Sequence, residues 1–191
     1  MKEYKIIELD KETWKGHPLP ICYTSNYYYD ISVRRTTDGF DIPIRKKRFD
    51  EPFTHDLQGD DNPDKLFQDW WENARAYGIV HDGKLLAAIE VCPEEWSNRL
   101  LVTELWVHES LRGQGVGTRL MDKAKEVAVR QGRRVLMLET QSCNTGAIAF
   151  YLRQGFELIG LDTCCYTNND IARREVRINL GYFFHRDARR R

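Results

Sequence analysis

The chain has 191 residues, 41 % of them apolar and 12 % aromatic, and its 29 basic side chains match its 29 acidic ones. That length fits one domain with a sizeable core, and the charge balance gives no electrostatic ground for a nucleic-acid or anionic-membrane partner. No apolar run is long enough to span a bilayer, and the start MKEYKIIELDKE carries charge throughout where a signal peptide would be apolar.

YKIIEL near the start alternates as a strand does. YYYDISVRR and FDIPIRKKR flank TTDG, and Asp38-Gly39 predicts a hairpin turn between them. FDEPFTHDLQGDDNPD reads as a polar loop, with Asp56, Asp60, Asp61 and Asp64 solvated. Leu66, Trp70 and Ala74, four apart, predict a helix over DKLFQDWWENA. YGIVHDGKLLAAIEV predicts a second hairpin around Asp82-Gly83, and LLVTELWV another strand. Val116, Leu120, Ala124, Val127 and Ala128 mark one face of a helix.

RRVLMLETQ is nearly continuous in apolar residues, as a buried parallel strand is. NTGAIAFYLRQG predicts a short helix, with Asn144 as N-cap and Gly155 just past its end. FELIGLDTCCY and REVRINLGYFF read as closing strands, and the basic end, 185–191, as a solvated tail. Hairpins followed by strand–helix–strand–helix–strand imply an α/β fold with a mixed sheet flanked by helices.

The five cysteines, 22, 92, 143, 164 and 165, include no C-x-x-C pair, which points to a reducing cytoplasm and no zinc. On a strand, the vicinal Cys164 and Cys165 would point to opposite faces. No histidine pairs with Cys143 to make it a nucleophile.

The stretch LRGQGVGTRLM places Gly113, Gly115 and Gly117 where a helix is about to begin. Such glycines serve close approach of backbone to a ligand, and a helix start is a natural phosphate site. A P-loop would need Gly-Lys-Ser/Thr, and GQGVGT has no lysine. A dinucleotide fingerprint has an acid in Glu139 at a suitable distance, but Thr118 stands where its third glycine belongs.

Arg112, Gly115 and Gly117 in RGQGVG, after the strand TELWV and before an amphipathic helix, resemble the acetyl-CoA signature of the GNAT superfamily of N-acetyltransferases. A second block agrees: Asn144, Ala147, Phe150, Tyr151, Gly155 and Phe156 are in register with that family's N-x-x-A-x-x-F-Y-x-x-x-G-F segment. LMLETQ, Asn144, and Asp162 followed by Tyr166 are similar to its streptothricin acetyltransferase branch.

The resemblance implies a single GNAT domain over 1–191, built around a central twisted mixed sheet. Residues 1–76 would be a variable N-terminal part, 77–184 the CoA-binding core and 185–191 the tail. It implies acetyl-CoA as cosubstrate, no metal, and direct acetyl transfer to a primary amine of a small cationic molecule. The family's pyrophosphate loop maps to Arg112, Gly113, Gln114, Gly115, Val116, Gly117 and Thr118. Its bulged strand, which bonds pantetheine through backbone, maps to Leu105, Trp106 and Val107. Asn144 and Tyr151 would complete the CoA site, with Tyr151 the general acid and Glu104 a base acting through water.

Tyr27, Tyr28, Tyr29 and Asp30 offer a wall for a cationic acceptor, or simply a strand with one buried face. Other readings stay open: acetylation of a peptide N-terminus, or a non-catalytic acyl-CoA-binding module. A monomer or homodimer is expected.

Overall fold

The computed structural model describes residues 4–56 and 64–184. In chain order the elements are β1 (Ile7–Leu9), α1 (Lys11–Trp14), β2 (Cys22–Ile31), β3 (Arg34–Arg35), β4 (Phe40–Asp41), β5 (Ile44–Asp56), β6 (Arg75–His81), β7 (Lys84–Glu94), β8 (Arg99–Val107), α2 (Val116–Arg130), β9 (Val135–Gln141), α3 (Thr145–Arg153), β10 (Glu157–Asp162), α4 (Asp170–Arg173) and β11 (Arg177–Phe183). They fall into two compact units. The first takes the described residues up to Ile21, from 64 to Leu138, and from Tyr182; the second takes Cys22–Asp56 and Glu139–Gly181.

In the first unit β1, β6, β7 and β8 pair antiparallel in that order, and β8 then pairs parallel with β9 from Arg99↔Val135 to Val102↔Leu138. The sheet is therefore mixed, as the order of predicted elements implied. The turn between β6 and β7 puts Asp82 and Gly83 at φ 51° and 73°, the tight-hairpin conformation their pairing predicts. Helix α2 buries Val116, Leu120, Met121, Ala124, Val127 and Ala128 and packs on β6, β7 and β8. Each large side chain so buried contributes roughly 1.5–3 kcal/mol. A second cluster joins Leu9, Leu19, Leu66, Phe67, Ala88 and Trp106.

In the second unit β2 and β5 form a long antiparallel ribbon from Cys22↔Asp56 to Ile31↔Ile44, interrupted between Ser25 and Tyr27. The predicted Asp38-Gly39 turn is its tip, where β3 pairs with β4 and Thr36 N–H reaches Gly39 O at 2.9 Å. Helix α3 lies against β2, and β10 pairs antiparallel with β11. Tyr28, Phe49 and Cys143 form the buried centre here, edged by Tyr23 and Phe53.

Three expectations fail locally. No helix forms over 66–74. The Phe67 N–H goes to the Glu90 carboxylate and the Leu66 N–H to His17 O, so tertiary partners fix the segment in a non-helical course. Phe67 and Asn73 also have φ of 56° and 61°, outside the helical region. Second, the predicted loop from 49 is strand as far as Asp56, because β2 supplies a partner for Phe53, Thr54 and His55. Third, β10 ends at Asp162, so Cys164 and Cys165 lie in a bend and not on a strand. There Asp162 accepts the Cys164 N–H at 3.0 Å. Of the four aspartates assigned to the loop, Asp60 and Asp61 lie outside the described residues, as does the basic tail. No helix among the described residues is long and apolar enough to cross a membrane.

Candidate active site

Strand β8 carries one residue more than β7 allows. Glu90 pairs with Glu104 and Val91 with Val102, which leaves Thr103 as a bulge. The bulge reverses the alternation of faces. Val102 shares a face with Val91, whereas Glu104 and Trp106 share the face of Glu90 and Ala88. The described pairing of β8 with β9 ends at Val102↔Leu138, next to the bulge.

The His108 N–H donates to Leu86 O at 2.9 Å, and this sets the phase of the hydrogen bonds beyond the bulge. Trp106 and Glu104 turn their backbone groups toward β7, and the N–H and C=O of Leu105 and Val107 point to the other side. Leu105, Trp106 and Val107, chosen by resemblance, are thus the residues after the bulge, and two of them direct backbone away from β7. The Glu104 and Trp106 side chains are buried.

A 3-10 turn, Glu109–Leu111, leads from β8 to the glycines. Gly113 and Gly115 have φ of 73° and 77°, and a Cβ at either would meet nothing within 4 Å. Only the backbone conformation, and not crowding by the protein itself, demands glycine there. Gly115 is the N-cap of α2 and has no side chain to cap it. The first intrahelical bond runs from Arg119 N to Gly115 O, so the N–H groups of Val116, Gly117 and Thr118 lie ahead of the helical ladder. No acidic residue stands in that first turn. Arg112 donates from Nε to Val107 O at 3.0 Å, and Gln114 donates to Ser110 O at 2.7 Å. Arg112 through Thr118 thus form one open turn with a positive dipole end, a fit for a phosphate group.

Asn144 and Tyr151 belong to the second unit. Asn144 caps α3, its Oδ1 accepting the Ala147 N–H at 3.1 Å. Tyr151 is buried on α3, its ring packed on Phe150 and Phe156. Gly155, at φ 86°, closes the helix as expected. Glu139 is ion-paired with Arg177, which favours a structural role over a catalytic one. Cys143 is fully buried within 3.2 Å of the Tyr23 hydroxyl. Burial pushes its thiol up to about 11, so it is no nucleophile.

Of the tyrosine run, Tyr28 is buried beneath the Arg174 guanidinium, 4.6 Å from its ring, and Tyr27 is exposed with Lys46 over it. Asp30 pairs with Lys47 at 2.6 Å, so it is not a free carboxylate for a cation. On the same ribbon His55 stacks on Tyr23 and sits 3.7 Å from the buried Glu175, which is itself ion-paired with Arg173 at 2.6 Å. Neither residue stands out in the sequence, because the pair joins two segments far apart in the chain.

The sequence does not single out Glu90 either. It is fully buried on β7 and accepts from Phe67 N at 2.6 Å and Thr103 Oγ1 at 2.8 Å. Its trace in the sequence is one acid inside the apolar run LLAAIEV.

Residues 44–156 match the model of the acetyltransferase (GNAT) family. A streptothricin acetyltransferase from Streptomyces lavendulae is 30 % identical over 160 residues, 82 % of each chain. The crystal structure of a nourseothricin acetyltransferase superposes with a TM-score of 0.70 at 30 % identity, covering 94 % of this chain and 98 % of that one. A Bacillus anthracis chain solved in complex with acetyl coenzyme A gives a TM-score of 0.71 at 21 % identity, covering 96 % and 98 %, a likeness of fold.

Proposed function

Because the chain belongs to the GNAT acetyltransferase family, we propose that it moves an acetyl group from acetyl-CoA directly onto a primary amine of a small cationic molecule, a streptothricin-type antibiotic. The open glycine turn at the start of α2, following the bulged strand β8, is the observation that carries this reading. The likeness to a streptothricin acetyltransferase over most of both chains supports the choice of acceptor.

Each step of the transfer has a residue suited to it. The bare Gly113 and Gly115 let the N–H groups at the start of α2 approach a pyrophosphate, and Arg112 adds positive charge. The backbone of Leu105 and Val107, past the bulge, is suited to hold pantetheine as a pseudo-strand. An N–H from the same strand would polarise the thioester carbonyl as the oxyanion develops. Asn144 completes the cosubstrate site in this scheme.

The attacking nitrogen must be neutral, while a lysine-like amine is mostly protonated near pH 7. Glu104 takes that proton through water. The amine then adds to the thioester carbon, the C–S bond breaks, Tyr151 gives its phenolic proton to the departing thiolate, and the proton that the nitrogen sheds in becoming an amide restores the phenol. Replacing Glu104 with Gln lowers kcat and flattens its rise with pH. An unchanged pH profile would assign the base elsewhere.

Thermal melting with acetyl-CoA tests the cosubstrate half of the proposal. A ligand that binds only the native state raises Tm. A Tm that does not move at saturating acetyl-CoA would contradict it.

A further inference from the structure

We propose that Glu90 is a positioning residue for the acetyl-CoA site: its carboxylate fixes the β8 bulge by holding the Thr103 hydroxyl. The inference rests on the acetyl-CoA reading above.

The extra residue of a bulge has no ladder partner to hold it. Thr103 is that residue, and its hydroxyl donates to Glu90 Oε1 at 2.8 Å. The other oxygen, Oε2, accepts the Phe67 N–H at 2.6 Å. Phe67 is buried at φ 56°, a left-handed conformation that a bulky residue avoids unless its surroundings impose it. It also packs in the same cluster as Trp106. One side chain thus clamps the bulge on one hand and a strained segment of that cluster on the other.

A carboxylate with 0 % exposure is costly, and an apolar residue would fill the space at less cost. The acid makes sense where two donors need two acceptors, which an ionised carboxylate supplies and an amide does not. The feature it guards is specific. If the bulge relaxed into regular pairing, the face of Glu104 would reverse and the Leu105 and Val107 N–H groups would lose their direction. Glu90 touches no reacting atom in this scheme; it acts through Thr103.

The test uses Thr103→Val, which keeps the shape and removes the hydroxyl, Thr103→Ser, which keeps the hydroxyl, and Glu90→Gln. For each, acetyl-CoA Kd is measured by calorimetry and Tm without ligand. Loss of a charge-assisted hydrogen bond should raise the Kd of Thr103→Val about tenfold. Thr103→Ser should stay within about twofold of wild type, and Glu90→Gln should resemble Thr103→Val. The double variant Thr103→Val/Glu90→Gln should bind no worse than Glu90→Gln alone, because both remove one interaction. A lowered Tm with unchanged Kd in Thr103→Val would make the contact merely structural and overturn the inference, even if Glu90→Gln failed to fold. Wild-type protein that binds no acetyl-CoA would overturn the cosubstrate reading, and this inference with it.

Discussion

The Arg112 side chain reaches back to the main-chain carbonyl of Val107, Nε to O at 3.0 Å. That bond joins the first residue of the glycine turn to the last residue of β8. It uses Nε, the Arg112 donor nearest the chain. The carbonyl it takes is one that β7 does not use. Strand end and phosphate turn are therefore tied to one another before any ligand arrives, which lowers the ordering cost of binding.

Gly115 separates ligand approach from protein packing. A Cβ there meets nothing, so Gly115→Ala should cost only about 1 kcal/mol of stability, from its left-handed φ. Gly115→Glu places a negative charge where the pyrophosphate would lie, and should abolish the rise in Tm with acetyl-CoA. An undiminished rise in that variant would remove the turn from the cosubstrate site.

Tyr151→Phe should lower kcat by about 10²–10⁴-fold, the usual contribution of a general acid, while acetyl-CoA Kd stays near wild type. Steady-state kinetics with calorimetry checks both halves. A loss below about threefold would mean that water or another group protonates the thiolate.

Asn144 holds α3 through its cap to Ala147 N. Asn144→Ala should lower stability by about 1 kcal/mol, and Asn144→Asp, an equally good cap, should restore it. Chemical denaturation measures both. If Asn144→Asp recovers stability but binds acetyl-CoA more weakly than wild type, the side-chain amide also meets the cosubstrate.

Glu90 gives stability a dependence on pH. Burial is the largest influence on its carboxyl and raises it, outweighing the bonds from Phe67 and Thr103 that lower it. Between the ordinary glutamate value and that raised value the folded state binds more proton than the unfolded state. The contribution of this group to stability should therefore fall as pH rises through the window. Denaturation midpoints of wild type should show this slope, and Glu90→Gln should lack it. Equal slopes in the two proteins would place the titration on another residue.

The turn from Arg112 to Thr118, the stripe of α2 and both ends of α3 were legible because each is encoded locally. Glycines mark left-handed φ, apolar spacing marks a buried face, and Asn144 and Gly155 mark a start and a stop. The bulge at Thr103 was not legible, since the adjacent Thr103 and Glu104 inside the apolar LLVTELWV do not say which strand residue is extra, and only the register against β7 exposes it. The failed helix over 66–74 has the same origin. Its spacing is helical, but Phe67 and Asn73 sit at positive φ, and Glu90, on a later strand, holds the Phe67 N–H in that conformation. Likewise β5 continues past Pro52 because β2 offers a partner, whatever the local composition suggests. His55 and Glu175 meet only through the fold, and no spacing in the chain announces them.

Transfer of acetyl to a small cationic amine is measured most directly as release of CoA thiol from acetyl-CoA by the purified protein with streptothricin. Thiol should appear in step with a streptothricin product one acetyl group heavier, at a rate that rises with pH as the amine loses its proton. Peptides bearing a free α-amine should give no thiol above background. Silence with streptothricin, together with turnover of a peptide α-amine, would overturn the small-molecule reading and make the protein a peptide acetyltransferase.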